Sequence, residues 1–180
     1  MKFRKIRRED IAVCLGWYNY YIENSTATFE TEPLSLEEFT ARVEQITSRY
    51  PWIVMETEEG IAGYAYLGPF IARSAYDWTA EISLYLDQKQ RYHGYGKLLF
   101  EEIIRIAREE GFRSLISVIT SENKPSIALH EDLGFVKSGE FPAFGYKFDK
   151  WLGVSCYTKE INENADVSHR PFSGKWSVGA

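Results

Sequence analysis

The chain has 180 residues, of which 44% are apolar and 26% charged, and its formal net charge is −5. These values are typical of one globular domain, and they argue against disorder and against a nucleic-acid partner, which would need a basic surface. The two cysteines cannot form a disulfide framework, and the three histidines are too far apart in sequence to predict a metal site. We find no signal peptide and no apolar run of roughly 20 residues, so we expect a cytoplasmic protein with no membrane partner.

Hydrophobic periodicity in the first half of the chain predicts a strand, two helices and a hairpin. Ser35 and Glu38 form the capping-box pattern that begins the second helix, and Pro51 ends it. Residues 26–33 are rich in threonine and glutamate, and we predict an extended connector there. In chain order the predicted elements are a strand at 2–7, helices at 8–21 and 35–49, and strands at 52–56 and 61–70.

In the second half, strands alternate with helices, which predicts parallel pairing, whereas the hairpin predicts antiparallel pairing. The clearest helix carries Leu99, Ile103 and Ile106 in one apolar row and ends at Gly111. We therefore expect an α/β domain, residues 1–162, in which about four helices flank a central mixed β-sheet, and a polar tail, residues 163–180. The predicted elements are strands at 79–86, 114–120, 136–148 and 153–161 and helices at 94–110 and 125–133.

A glycine-containing loop, residues 91–97, precedes the clearest helix. Gly94 and Gly96 would let a phosphate group approach the backbone, although a tight strand-to-helix turn would use the same glycines. A Walker A loop is excluded because Arg91 and Leu98 stand where glycine and Ser or Thr are needed. A Rossmann fingerprint is excluded because Leu99 replaces its third small residue.

Three polar residues recur on one side of the predicted helix at 125–133 and the residues before it. Asn123, Ser126 and His130 are spaced i, i+3 and i+7, on the side of the core-facing leucines. Each needs a partner, because burying an unsatisfied polar group costs about 1–3 kcal/mol. They could be helix caps and a hydrogen-bonded core histidine, but the glycine loop upstream favours a ligand site.

An acidic residue stands inside the predicted strand at 79–86. Glu81, Ser83 and Tyr85 alternate with small or apolar residues. Glutamates are usually exposed, and Glu81 could lie on a solvated strand face. At the centre of the sheet and close to the glycine loop, however, its carboxylate could act as a general base on an amine.

Together these segments resemble the GNAT superfamily of N-acetyltransferases, and most closely its phosphinothricin acetyltransferase branch. Residues 91–96 are similar to motif A of the superfamily, and residues 123–135 to motif B. The resemblance extends over residues 3–161 and implies the GNAT acyl-CoA N-acyltransferase fold. Further similar segments are residues 25–33, 49–52, 68–81 and 145–147.

The resemblance also implies the chemistry: acetyl-CoA as co-substrate, direct transfer to a small amine or amino acid of the phosphinothricin or methionine sulfoximine type, no metal, and a homodimer. It implies that Glu81 is the general base and that His130 replaces the tyrosine that many GNAT enzymes use as general acid. The implied cofactor contacts are Leu84, Tyr85, Leu86, Arg91, Tyr92, His93, Gly94, Tyr95, Gly96, Asn123 and Ser126.

Three further residues are candidates for binding the acidic end of the acceptor. Arg73 and Tyr76 precede Glu81, and Lys147 lies in a late matching segment, although Arg73 could equally be a solvated loop residue. Two other functions stay open at this stage. The chain could acetylate protein N-termini, or it could be a non-catalytic, acetyl-CoA-binding regulatory module.

Overall fold

The computed structural model describes residues 1–90, 93–172 and 174–178. Within these residues the strands form a mixed seven-stranded sheet in the order β1-β2-β3-β4-β5-β7-β6. The strands are β1 (Lys2–Lys5), β2 (Trp52–Thr57), β3 (Gly60–Pro69), β4 (Thr79–Leu86), β5 (Ser114–Thr120), β6 (Val136–Lys147) and β7 (Lys150–Glu160). The helices are α1 (Ile11–Asn24), α2 (Leu36–Thr47), α3 (Tyr95–Glu109) and α4 (Lys124–Asp132). The predicted α/β architecture, a mixed sheet with about four helices, is confirmed.

The helix ends follow the signals in the sequence. Ser35 caps α2 by accepting a hydrogen bond from the Glu38 N–H at 3.2 Å, and the Glu38 carboxylate accepts one from the Ser35 N–H at 2.8 Å. The helix ends at Thr47, two residues before the predicted end at Arg49. Asn123 caps α4 in the same way, since its Oδ1 accepts a hydrogen bond from the Ser126 N–H at 3.3 Å. These caps satisfy N–H groups that an isolated helix end leaves unpaired.

Two apolar layers lie on opposite faces of the sheet. On one face, α1 and α2 bury side chains such as Trp17 and Phe39 against β2 and β3. On the other face, α3 buries Leu99, Phe100 and Ile103, and α4 adds partly buried side chains to the same layer. The alternation of side chains along each strand supplies both layers from one sheet. No helix in the described ranges is long and apolar enough to cross a membrane.

The sheet opens between its two central parallel strands. β4 and β5 pair only through Thr79–Glu81 and Ser114–Ile116, and beyond these residues the two strands diverge. β5 instead keeps its antiparallel pairing with β7 along its whole length. The divergence leaves a gap in the middle of the sheet, bounded by residues 82–86 of β4 and 117–120 of β5.

The segment that follows β7, predicted as a polar tail, packs aromatic side chains against the domain. Trp176 is 8% exposed and belongs to the same apolar layer as α3. Phe172 packs edge-on against Tyr50 and Phe112, and the Arg49 guanidinium lies 4.0 Å from its ring centroid. Single aromatic residues spaced along an irregular segment produce no periodic pattern, so the sequence carries no signal of this packing.

Candidate active site

The gap between β4 and β5 is the entrance to two adjoining cavities. An inner cavity of about 340 Å³ is lined by residues 81–85 of β4, residues 117–120 of β5, the inward side of α4 and residues 27–29 of the connector. An outer cavity of about 630 Å³ shares Leu84, Tyr85, Asn123 and Ser126 with it and extends to residues 94–97 at the start of α3. Because they share these wall residues, the two cavities together trace a path from the start of α3, past the gap, to Glu81.

Glu81 lies on the central strand β4 and lines the inner cavity. It is half-buried, and burial raises the pKa of its carboxyl group. Within residues 1–90, 93–172 and 174–178, no group donates a hydrogen bond to this carboxylate. Its oxygens are therefore free to accept a proton from a molecule in the cavity, and its raised pKa makes it a stronger base than an exposed carboxylate.

His130 is 5% exposed and also lines the inner cavity, but both of its ring nitrogens are engaged. Nδ1 lies 2.7 Å from the Ser126 carbonyl oxygen, and Nε2 lies 2.8 Å from Ser117 Oγ. A carbonyl oxygen only accepts, so Nδ1 carries a proton and donates it. Burial lowers the pKa of the imidazole, which makes the neutral form dominant near pH 7. Nε2 is then an acceptor, and the Ser117 hydroxyl donates to it.

The polar row predicted on α4 therefore has two functions in the structure. Asn123 is the helix cap, Ser126 supplies the carbonyl that orients His130, and all three side chains line the inner cavity. The partners that the sequence analysis required are present for Asn123 and His130, and the ligand site at these positions stays a prediction.

The peptide groups of β4 supply polar atoms to the gap. The Ile82 carbonyl oxygen lies 3.4 Å from Ser117 Oγ and so faces β5. Because strand peptide groups alternate, those of Leu84 and Leu86 face the same side. The Leu86 carbonyl accepts a hydrogen bond from the Tyr21 hydroxyl at 2.9 Å. The Leu84 peptide group faces the gap and can pair with an extended chain or donate to a negatively charged oxygen.

The start of α3 has the features of an anion site. Gly94 is its N-cap with φ of 76°, a left-handed conformation that favours glycine, and no described side chain caps the helix. A Cβ atom on Gly94 would have no neighbour within 4 Å, so the space beside it is open. The N–H groups of Tyr95, Gly96 and Lys97 lack intrahelical partners by geometry, and these three residues line the end of the outer cavity.

The remaining residues of the predicted loop are less informative. His93 is exposed, and its ring lies 5.5 Å from that of Tyr95 without lining either cavity. Arg91 and Tyr92, predicted to contact the cofactor, lie outside the described residues.

The structure does not bring the three predicted acceptor-binding residues into the cavities. Arg73 and Tyr76 lie on the exposed loop before β4, where the Tyr76 ring packs edge-on against Phe70. Lys147 is buried, and its ammonium group donates to the carbonyl oxygens of Ser25 at 2.9 Å and Thr28 at 2.8 Å. Burial lowers the pKa of this ammonium group. Lys147 thus holds the connector that walls the inner cavity.

Sequence reasoning missed several residues of the inner cavity. Its walls include Tyr18 from α1, Thr28 and Phe29 from the connector, Tyr66 from β3 and Ser117 from β5. Only Ser117 had a usable signal, because it is the one hydroxyl in an otherwise apolar stretch, residues 115–119. Among the residues that the structure describes, no group of three His, Cys, Asp or Glu side chains could hold a metal ion.

Comparisons with known proteins agree with this geometry. Residues 3–153 match the model of the acetyltransferase (GNAT) domain family. A phosphinothricin N-acetyltransferase of Streptomyces viridochromogenes is 38% identical over 161 residues, which cover 89% of this chain and 88% of that protein. An L-methionine sulfoximine/L-methionine sulfone acetyltransferase of Pseudomonas paraeruginosa is 34% identical over 151 residues, 81% of this chain and 86% of that protein.

Solved structures of similar proteins include some with bound acetyl-CoA. A GNAT superfamily phosphinothricin acetyltransferase from Sinorhizobium meliloti, in complex with AcCoA, superposes with a TM-score of 0.88 at 32% identity. The alignment covers 96% of this chain and 98% of that one.

Proposed function

The chain belongs to the GNAT acetyltransferase family, as its motifs predicted, and on that premise we propose that it transfers the acetyl group of acetyl-CoA to the amino group of a small amino-acid-like acceptor. The relatives named above support acceptors of the phosphinothricin and methionine sulfoximine type. One observation carries the proposal: the Glu81 carboxylate, which has no described hydrogen-bond donor, ends a path that begins at the N–H groups of the first turn of α3.

The chain's own residues fit acetyl-CoA. Residues 94–97 offer helix N–H groups and open space for the pyrophosphate, since no Cβ atom occupies the space beside Gly94. The Leu84 peptide group faces the gap and can pair with the amide-containing arm. Asn123 and Ser126 line both cavities, so they lie where the arm would end. When bound, acetyl-CoA supplies the activated acetyl thioester.

Glu81 is the proposed general base. An α-amine has a pKa of about 8, so at neutral pH it is mostly protonated and cannot attack a carbonyl carbon. Glu81 accepts the first proton, directly or through a water molecule. The Leu84 N–H donates to the carbonyl oxygen as negative charge develops on it. His130 is the proposed source of the proton that the leaving thiolate receives.

The inner cavity favours a small acceptor. Its aromatic walls, Tyr18, Phe29 and Tyr66, enclose the space around Glu81. Arg73 and Tyr76 remain the proposed ligands for the acceptor's acidic groups, because Gly68 pairs with Glu81 and the loop after β3 therefore begins beside that residue. Lys147 acts on the acceptor indirectly, by holding the connector.

We further propose a homodimer. Phe141, Phe144, Tyr146 and Trp151 are 46–68% exposed on the outer strands β6 and β7. Their rings pack in pairs, with centroids 4.9 Å apart for Phe141 and Phe144 and 5.3 Å apart for Tyr146 and Trp151. An aromatic patch of this kind is typical of an interface. Sedimentation at micromolar concentration should show a dimer that Trp151→Glu dissociates, and a wild-type monomer would contradict the proposal.

A thiol-release assay tests the function. Acetyl-CoA is incubated with the protein and with amino acids, their sulfoximine and phosphinic acid analogues, polyamines or short peptides, and the reaction without acceptor is the control. We expect acceptor-dependent thiol release with the small amino-acid analogues. Thiol release with peptides alone would indicate a protein N-acetyltransferase. If none of these compounds raised thiol release above the control without acceptor, the proposed function would be contradicted.

A further inference from the structure

Acetyl transfer to an ammonium group requires two proton transfers from the same nitrogen. The first makes the nitrogen nucleophilic. The second removes the surplus proton that remains once the new bond to the acetyl carbon has formed, and the departing sulfur needs a proton at the same stage. Glu81 accounts for the first proton under the proposed function, so the second requires another group that can both accept and return a proton.

His130 has the chemistry for this step but not direct access. Its Nδ1 proton is held by the Ser126 carbonyl at 2.7 Å, and its Nε2 lone pair is occupied by the Ser117 hydroxyl at 2.8 Å. The faces and edges of the ring pack against Phe100, Phe135 and Tyr157, at centroid distances of 4.7, 5.1 and 6.2 Å. Among the described residues, Ser117 Oγ is the polar atom that lies against Nε2, so a proton from a reacting atom in the cavity can reach Nε2 through this oxygen.

Ser117 is placed to connect the two. Its side chain is 3% exposed, lines the inner cavity together with Glu81, and lies where β4 and β5 have just separated. Its hydroxyl has a second acceptor within reach, the Ile82 carbonyl oxygen at 3.4 Å. When Nε2 becomes protonated and donates to Oγ, the hydroxyl proton is free to turn toward Ile82 or into the cavity.

We propose that Ser117 relays the second proton between the acceptor nitrogen, His130 and the leaving sulfur. This inference rests on the proposed acetyl transfer. As the bond from nitrogen to the acetyl carbon forms, the surplus proton on nitrogen passes to Ser117 Oγ while the hydroxyl proton passes to His130 Nε2. The carbon–sulfur bond breaks with its electron pair on sulfur, Nε2 returns its proton to Oγ, and the hydroxyl proton passes to sulfur. Ser117 and His130 end as they began.

The surroundings of His130 suit a transient proton store. Burial lowers the pKa of the imidazole, so the ring is neutral when the cycle begins and returns its proton readily. Tyr157 on β7 packs beside the ring, with centroids 6.2 Å apart, and its hydroxyl donates to the Glu131 carboxylate on α4 at 3.0 Å, while Glu81 lines the same cavity as His130. No acidic side chain of the described elements forms an ion pair with the imidazole ring, so none of them stabilises the imidazolium form.

Two substitutions of equal shape isolate the hydroxyl group. Ser117→Thr and Ser117→Val add the same bulk to a strand position that tolerates β-branched residues, and they differ only in the hydroxyl. We expect kcat of Ser117→Val to fall roughly 10- to 100-fold below that of Ser117→Thr, toward the lower end of general acid–base catalysis because water can replace the relay. Turnover is counted per molecule that binds acetyl-CoA, so that loss of folded protein does not enter the comparison.

The same pair in a His130→Gln background completes the test. In a relay the hydroxyl acts only through the imidazole, so the Thr and Val variants should then turn over equally. Ser155→Ala is the matched control, since it removes a buried hydroxyl on β7 that bonds to Ser121 and should keep wild-type kcat. Equal kcat for the two Ser117 variants in the wild-type background, or an unchanged difference between them without His130, would overturn the relay. Acetyl transfer by the wild type in the same assay keeps this outcome separate from failure of the proposed function.

Discussion

Two titratable side chains, Glu81 and His130, line the inner cavity. Burial favours the neutral form of both, but the two differ in their hydrogen bonds. Burial raises the pKa of Glu81 and lowers that of His130, so that each is shifted toward its neutral form. The Glu81 carboxylate has no described hydrogen-bond donor, whereas both nitrogens of His130 are bonded and its ring is packed. The carboxylate oxygens of Glu81 can therefore accept a proton directly from the substrate. The ring nitrogens of His130 are already hydrogen-bonded, so His130 is suited to act through a neighbouring residue.

This difference predicts that the two residues respond differently to substitution. Glu81→Gln keeps the shape and removes the basic group, so kcat at pH 7 should fall by about 10²–10⁴. Acetyl-CoA affinity should stay close to wild type, because Glu81 lies at the far end of the path from α3. Steady-state kinetics and calorimetric binding on one preparation check both values, and wild-type kcat would return Glu81 to the role of a solvated strand residue.

His130→Gln should reduce both turnover and stability. We expect kcat to fall roughly 10- to 100-fold, since water can replace the imidazole in part. The free energy of unfolding should fall by about 1–3 kcal/mol, because the change disrupts two buried hydrogen bonds and the contacts with Phe100 and Phe135. Denaturant titration and activity per folded molecule separate the two effects. Full activity in a destabilised variant would show that His130 is structural only.

Gly145→Ala should disturb the cavity without touching either group. A Cβ atom there would overlap the ring of Phe29, a wall of the inner cavity, so the ring must shift. Because the shifted ring would overpack the cavity, we expect the KM for the acceptor to rise about tenfold, which is equivalent to about 1.4 kcal/mol of binding free energy. Gly139→Ala on the same strand is the control, because its nearest atom, Cys156 Cβ, is 4.0 Å away. Equal KM values for the two variants would mean that Phe29 does not contact the acceptor.

Local signals predicted much of the fold and part of the site. The apolar row of α3, the capping box of Ser35 and Glu38 and the cap at Asn123 all depend on neighbours three or four residues away, which a sequence displays directly. Glu81 is a candidate base because of its predicted position at the centre of the sheet, close to the glycine loop, and the family resemblance implies the chemistry.

Long-range geometry could not be predicted from the same patterns. The gap depends on where β4 and β5 stop pairing, and no residue in either strand marks that point. The bond between Ser117 and His130 joins β5 to α4, so it needs the register of both elements. Lys147 illustrates the same limit, because its charge suggested an acidic ligand while its position placed it on the carbonyl groups of Ser25 and Thr28.

The pH dependence of kcat in wild type and Glu81→Gln tests the central claim, that Glu81 removes the proton from the acceptor amine. A small amino acid whose amine has a pKa of about 8 serves as acceptor. Because the raised pKa of Glu81 leaves it protonated at acidic pH, wild-type kcat should fall toward low pH, whereas kcat of the variant should follow the neutral fraction of the amine and fall already below about pH 8. The deficit of about 10²–10⁴ at pH 7 should shrink by about tenfold near pH 10, because the neutral fraction of the amine rises from about a tenth to nearly all of it. A deficit that stays constant across this range would contradict the claim.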